Sequence, residues 1–213
     1  MEPLPLEDAP PPLQPRSRPR SRLWPKLVFA FVCIALALGT FAFMRYRNAA
    51  VPDFAFREFA SPDSTCKAIL IGDPVEGTVT FAPGSPWILG GKQFSGSHWS
   101  TPVKTSLRWY DLAPEMGAVL RPEDVIAEEV KRREKELNAK IEKEGLVKWN
   151  EFTGRQVEFL EGRTRTVERY LFVNKGSRPR LYVISIGGSG LNADAAAIQK
   201  VLNSFQCSVF SVQ

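Results

Sequence analysis

A chain of 213 residues, 44% hydrophobic and 24% charged, can bury a full core without metals or disulfide staples, but its charge is unevenly spread. Residues 1–47 carry seven basic side chains against three acidic ones and the remaining 166 carry 21 against 20, so the net +5 comes mostly from the N-terminal segment. A nearly neutral body argues against a nucleic-acid-binding domain, and a single histidine, His98, excludes a metal cluster of the usual His type.

Residues 1–26 are dense in proline and carry the run RSRPRSR, which predicts a disordered tail of polyproline II character attracted to anionic headgroups. From Leu27 to Met44 the chain has no charge and one polar side chain, Thr40. At about 1.5 Å per residue a helix of that length is about 27 Å long, close to the roughly 30 Å hydrocarbon layer. Five basic residues shortly before it and two after it (Arg45, Arg47) place the N-terminus in the cytoplasm and the rest of the chain outside. Trp24 and Tyr46 flank it as headgroup-level aromatics. Asn48, Ala49 and Ala50 would suit a signal peptidase, but the apolar run exceeds the usual h-region of about 7–15 residues and is followed by Arg45 and Arg47, which favours an uncleaved signal-anchor.

After a stalk over 45–53, the sequence predicts one extracytoplasmic α+β domain over 54–213: an antiparallel sheet with two packed helices. Strands are expected near Phe54–Phe56, Thr65–Ile71 and Val103–Leu112, with a short one at 78–81 and loops at 72–77 and 82–91. Pro122 at a first turn, acids at 123 and 124, and an apolar stripe of Ile126, Val130, Leu137 and Ile141 predict a long helix over 121–145 ended by Gly145. Strands over 147–152, 155–160, 164–174 and 180–186 follow. A helix over 193–203 then leads to a last strand with Phe205, Cys207 and Val209 on one face.

The segments FASPDSTCKAILIGDP (59–74), SLRWYDL (106–112), TGRQVEF (153–159), RLYVISIGG (180–188) and VLNSF (201–205) resemble the PsbP-like α/β/α sandwich superfamily, and in particular planctomycete-type membrane-anchored proteins with that domain. The resemblance spans about residues 54–210. It implies the fold and a binding role, and it carries over no catalytic, cofactor or metal residue. The Pro/Gly-rich region from Thr80 to Trp99 matches no motif of that superfamily.

Catalytic chemistry has few candidates. His98 lies near Ser95, Ser97 and Ser100, but no nucleophile-elbow motif accompanies it. GGSG (187–190) lacks the Lys-Ser/Thr of a phosphate loop and reads as a strand-to-helix turn. Asp111 and Glu115 read as solvated charges. Cys33 lies in the apolar run, whereas Cys66 and Cys207 would share an oxidising compartment and are candidates for a disulfide, the alternative being two buried free thiols. Trp109 or Tyr110 is expected in the core, and Trp87 in its proline/glycine loop at a partner or membrane contact.

These readings give no catalytic, cofactor or metal site. They describe a membrane-tethered binding or scaffold module that contacts lipid through its span and basic tail, contacts an unidentified protein partner, and binds no nucleic acid. The alternative is an enzyme subunit or cryptic hydrolase using the 80–99 region, which would require a polar pocket around His98. A homodimer through the 121–145 helix is a third reading.

Overall fold

The computed structural model describes residues 23–47, 51–79, 88–115, 119, 121–149, 152–174, 179–189, 191 and 195–207. The chain divides into two units, 1–42 and 43–213. Helix α1 spans Leu23–Arg47, most of it in the first unit, and its segment Pro25–Met44 is long and apolar enough to cross a membrane, with none of it buried by protein. Thr40, the one polar side chain of Leu27–Met44, turns its hydroxyl back onto the carbonyls of Leu36 and Ala37, so its donor is satisfied within the helix.

The domain is α+β. Two antiparallel sheets are present where the sequence predicts one. The small sheet has the order β1-β2-β10, built from Phe56–Ala60, Cys66–Ile71 and Gln206–Cys207. The large sheet has the order β3-β4-β5-β9-β8-β7-β6, built from Val75–Gly77, Ile88–Ser97, Lys104–Leu112, Arg180–Ser189, Thr164–Val173, Phe152–Glu161 and Lys140–Trp149. Helix α2 (Pro122–Leu137) and helix α3 (Ala196–Ser204) complete it.

Two cores lie on opposite faces of the large sheet. On one face Leu107, Trp109, Tyr182 and Ile184 pack with Leu70 and Ile71 of the small sheet and with Ile198, Val201 and Leu202 of α3. On the other, Tyr110, Val157, Phe159, Tyr170 and Val183 pack against Val125, Ile126 and Val130 of α2. Adjacent residues Trp109 and Tyr110 thus enter opposite cores, as strand alternation requires, and both are buried where the sequence placed one or the other. Arg169 is buried beside α3 and donates to Leu202 O at 2.9 Å and Asn203 Oδ1 at 3.1 Å, placing a cation at the negative end of that helix.

Several elements differ from what the sequence predicts. Helix α2 stops at Leu137: Asn138 takes a left-handed conformation (φ 47°, ψ 39°) and the Ala139 N–H returns to Glu134 O, closing the last turn. Lys140–Trp149 then pairs with β7, so Ile141 belongs to a strand, and Glu136 pairs with Arg132 and Arg133. The 72–77 turn contains β3, and the end of the expected 82–91 loop is the start of β4. The glycines of the 187–190 turn include Gly187 and Gly188, which lie within β9. Val209, the 80–81 part of the expected 78–81 strand and most of the N-terminal tail lie outside the described residues.

Candidate functional site

Cross-strand register sets out the α2-side face of the large sheet in rows. Tyr110 and Leu181 lie opposite each other, then Arg108 and Val183, then Ser95, Ser106, Ser185 and Glu168, and then Ser97, Lys104, Gly187 and Thr166, with Ser189 opposite Thr164 beyond. The face therefore grades from apolar to small and hydroxylic along the strands. Helix α2 covers the apolar end. Its last turn reaches the hydroxylic end through Arg133 and Leu137, and a groove of about 540 Å³ opens there.

Eight of the groove's fifteen lining residues are Ser or Thr, and none is Asp, Glu, His or Cys, so its walls offer mostly hydroxyl donors and acceptors. Ser106 and Ser185 hydroxyls lie 2.8 Å apart across the β5–β9 pair on its floor. Gly187 keeps that floor low: a Cβ there would stand 2.7 Å from Thr166 Oγ1. Two cations line the groove. Arg133 is held by Glu168 and Glu136 at 2.8 Å each, whereas Lys104 has no carboxylate partner among the described residues.

An ionic network adjoins the groove beneath α2. Glu168, fully buried, accepts from Arg108 Nη2 at 2.7 Å, from Arg133 Nη2 at 2.8 Å and from the Tyr170 hydroxyl. Glu129 accepts from Tyr110 Oη at 2.7 Å and from Arg132 at 2.7 Å, and lies 3.6 Å from Arg108. Burial alone would raise the pKa of Glu168. The Arg108 and Arg133 guanidiniums outweigh it and hold the carboxyl at about 2. Tyr110 and Tyr170 are both pushed up, first by burial, so they stay protonated donors. Three arginines face three carboxylates here (Glu129, Glu136, Glu168), and the network holds α2 to the sheet without lending net charge to the groove. Arg108 Nε is buried without a hydrogen-bond partner.

The residues singled out in the sequence are mostly not brought together. His98 Nδ1 is 2.6 Å from Ser100 Oγ and accepts the Ser100 backbone N–H in a local turn, with its ring against Phe54 and the exposed Trp99. It does not line the groove, although Ser95 and Ser97 do. Asp111 binds Arg180, which also holds Asp63, while Glu115 is exposed. Trp87 lies outside the described residues. Among the described residues, no group of three or more His, Cys, Asp or Glu side chains is arranged to hold a metal. Cys66 and Cys207 are direct register partners on β2 and β10. The groove and the ionic network were not singled out in the sequence reading. Their one sequence signal is small or charged residues at alternate positions of successive strands, as in Ser95/Ser97, Ser185/Ser189 and Arg108.

No protein-family model matches the chain, and no curated protein matches it. Solved structures do. The cyanobacterial PsbP (CyanoP) from Synechocystis aligns at 12% identity over 75% of this chain and 96% of that one, with a TM-score of 0.50. LpqN, a protein involved in cell envelope biogenesis of Mycobacterium tuberculosis, aligns at 8% identity over 74% and 94%, with a TM-score of 0.40. At such identities a likeness speaks to architecture alone. With its antiparallel sheets, packed helices and match to cyanobacterial PsbP, the domain has a PsbP-like α+β fold.

Proposed function

We propose that the protein is a non-enzymatic binding module held at a membrane by α1, with its basic tail in the cytoplasm and its domain outside, and that it takes a polar ligand bearing an oxyanion in the hydroxylic groove. The groove is the observation that carries this reading: hydroxyl groups, a Lys104 ammonium with no carboxylate partner among the described residues, and no acidic side chain among the lining residues. The lining also has none of the imidazole, thiol or carboxyl groups that proton transfer generally uses, which supports binding over turnover. The charge bias around the apolar helix and the resemblance to membrane-anchored planctomycete-type proteins support the tether. A protein partner contacting Trp87 belongs to the same reading.

Inorganic phosphate is the simplest probe of the groove. Titrated into the full chain in detergent, it is expected to bind saturably and to shift amide resonances of β5 and β9, with Lys104→Ala weakening it about tenfold, as for the loss of one charge-assisted hydrogen bond. Binding that is absent, or indifferent to Lys104→Ala, would remove the oxyanion reading. The tether is tested apart from it. Reporters fused before Met1 and after Gln213 should report cytoplasm and exterior respectively, and a cytoplasmic C-terminal reporter would overturn the orientation.

A further inference from the structure

We infer that Cys66 and Cys207 close into a disulfide that staples the last strand of the domain to the middle of its small sheet. The two residues stand directly opposite each other on antiparallel strands, with Cys66 in the core under that sheet and the half-buried Cys207 packed against it. The backbone narrows the geometry further. Cys66 accepts from the Ser61 N–H at 2.9 Å and donates its own N–H to Ser61 Oγ at 3.0 Å, so both of its backbone groups point away from β10. Toward Cys207 it is therefore the non-hydrogen-bonded member of the ladder, where opposed Cα atoms approach to about 4.5 Å. That lies within the range of about 4.4–6.8 Å that a disulfide spans.

The chemistry is thiol–disulfide exchange with a disulfide oxidant such as oxidised glutathione. Cys66 is almost fully buried, and burial pushes its thiol up to about 11, so it is the poorer first nucleophile. Cys207, the more accessible of the two, loses its proton to water and attacks an oxidant sulfur, expelling one thiol. Cys66 then gives up its proton and attacks Cys207 Sγ, expelling the second thiol. One disulfide is consumed, one is formed, and two thiols are released.

The full chain, purified in detergent and reduced, is exposed to a glutathione redox buffer, then unfolded, alkylated and mapped by mass without reductant. The expected product is a linked Cys66–Cys207 peptide pair with Cys33 alkylated. Alkylation of both Cys66 and Cys207, or linkage of either to Cys33, overturns the inference. Tm is expected to be about 5–15 °C higher oxidised than reduced, and Cys207→Ala should abolish that redox dependence; a wild-type Tm indifferent to redox state would also overturn it. The extracytoplasmic placement is read separately. A chain that closes in glutathione yet leaves cells with both thiols alkylatable keeps the pair and counts against the exterior location.

Discussion

Replacing Glu168 with alanine is expected to destabilise the domain by about 3–5 kcal/mol, because it strands Arg108 in a site with almost no solvent access. Glu129, 3.6 Å away and already shared with Tyr110 and Arg132, is too committed to replace it. Denaturant unfolding at pH 7 should show the midpoint falling with an unchanged slope. The double change Arg108→Met with Glu168→Leu should recover much of the loss, since an apolar pair carries no desolvation cost. Acid provides a second test. The carboxyl is held at about 2 in the folded chain against an ordinary 4.5, so its contribution is present above about pH 4.5 and is lost as pH falls toward 2. Glu168→Ala should lack that part of the acid response. A variant as stable as the parent would mean that apolar packing alone holds α2.

Gly72→Ala is expected to cost about 2–5 kcal/mol, for reasons of backbone rather than side chain. Gly72 has φ +72°, a region unfavourable to residues with a Cβ, and that Cβ would stand 2.0 Å from Ser97 O. The position closes the end of β2 against the end of β4, where the Gly72 N–H also donates to Ala55 O at 2.7 Å. Beside it, the Ile71 N–H donates to Thr105 Oγ1 at 2.8 Å, so a shift of Gly72 would loosen the small sheet from the large one. Gly145→Ala is the matched control, since nothing lies within 4 Å of its Cβ position, and its effect should be small. Thermal unfolding of the two variants side by side separates a local clash from a general intolerance of alanine.

Where alternation was backed by aromatic or β-branched residues, as in Lys104–Leu112 and Arg180–Ser189, the strands were legible, because burial on both faces leaves few competing patterns. Strand β4 carries little strand pattern, and its first residues lie in the expected 82–91 loop. Its Gly90, Gly91 and Gly96 carry no strand signal, and pairing comes from β3 and β5 on either side. The helix was drawn too long because Glu and Lys continue in helical period past Leu137, while the competing strand partner, β7, lies further along the chain. Trp109 or Tyr110 could be placed in the core from its type. Arg108 and Glu168 could not, since a charged residue in an alternating strand reads as facing solvent and its partner is 60 positions away. The groove was hidden for a related reason: serines and threonines look alike on every strand, and register alone gathers them onto one face.

Strand β6 lies at the margin of the large sheet and, among the described residues, bonds on one side only. Its outer edge is a row of backbone donors and acceptors that a second chain could extend into a shared sheet. The segment is guarded against that event. Lys140, Glu142, Lys143, Glu144 and Lys148 crowd it with charge, Glu142 and Glu144 are tied to Arg165 and Arg155, and the register shifts between Ile141 and Lys143, breaking the even spacing that an incoming strand would have to match. In a protein crowded with copies of itself, an incoming strand would meet at this margin charges that alternate in sign from Glu142 to Glu144.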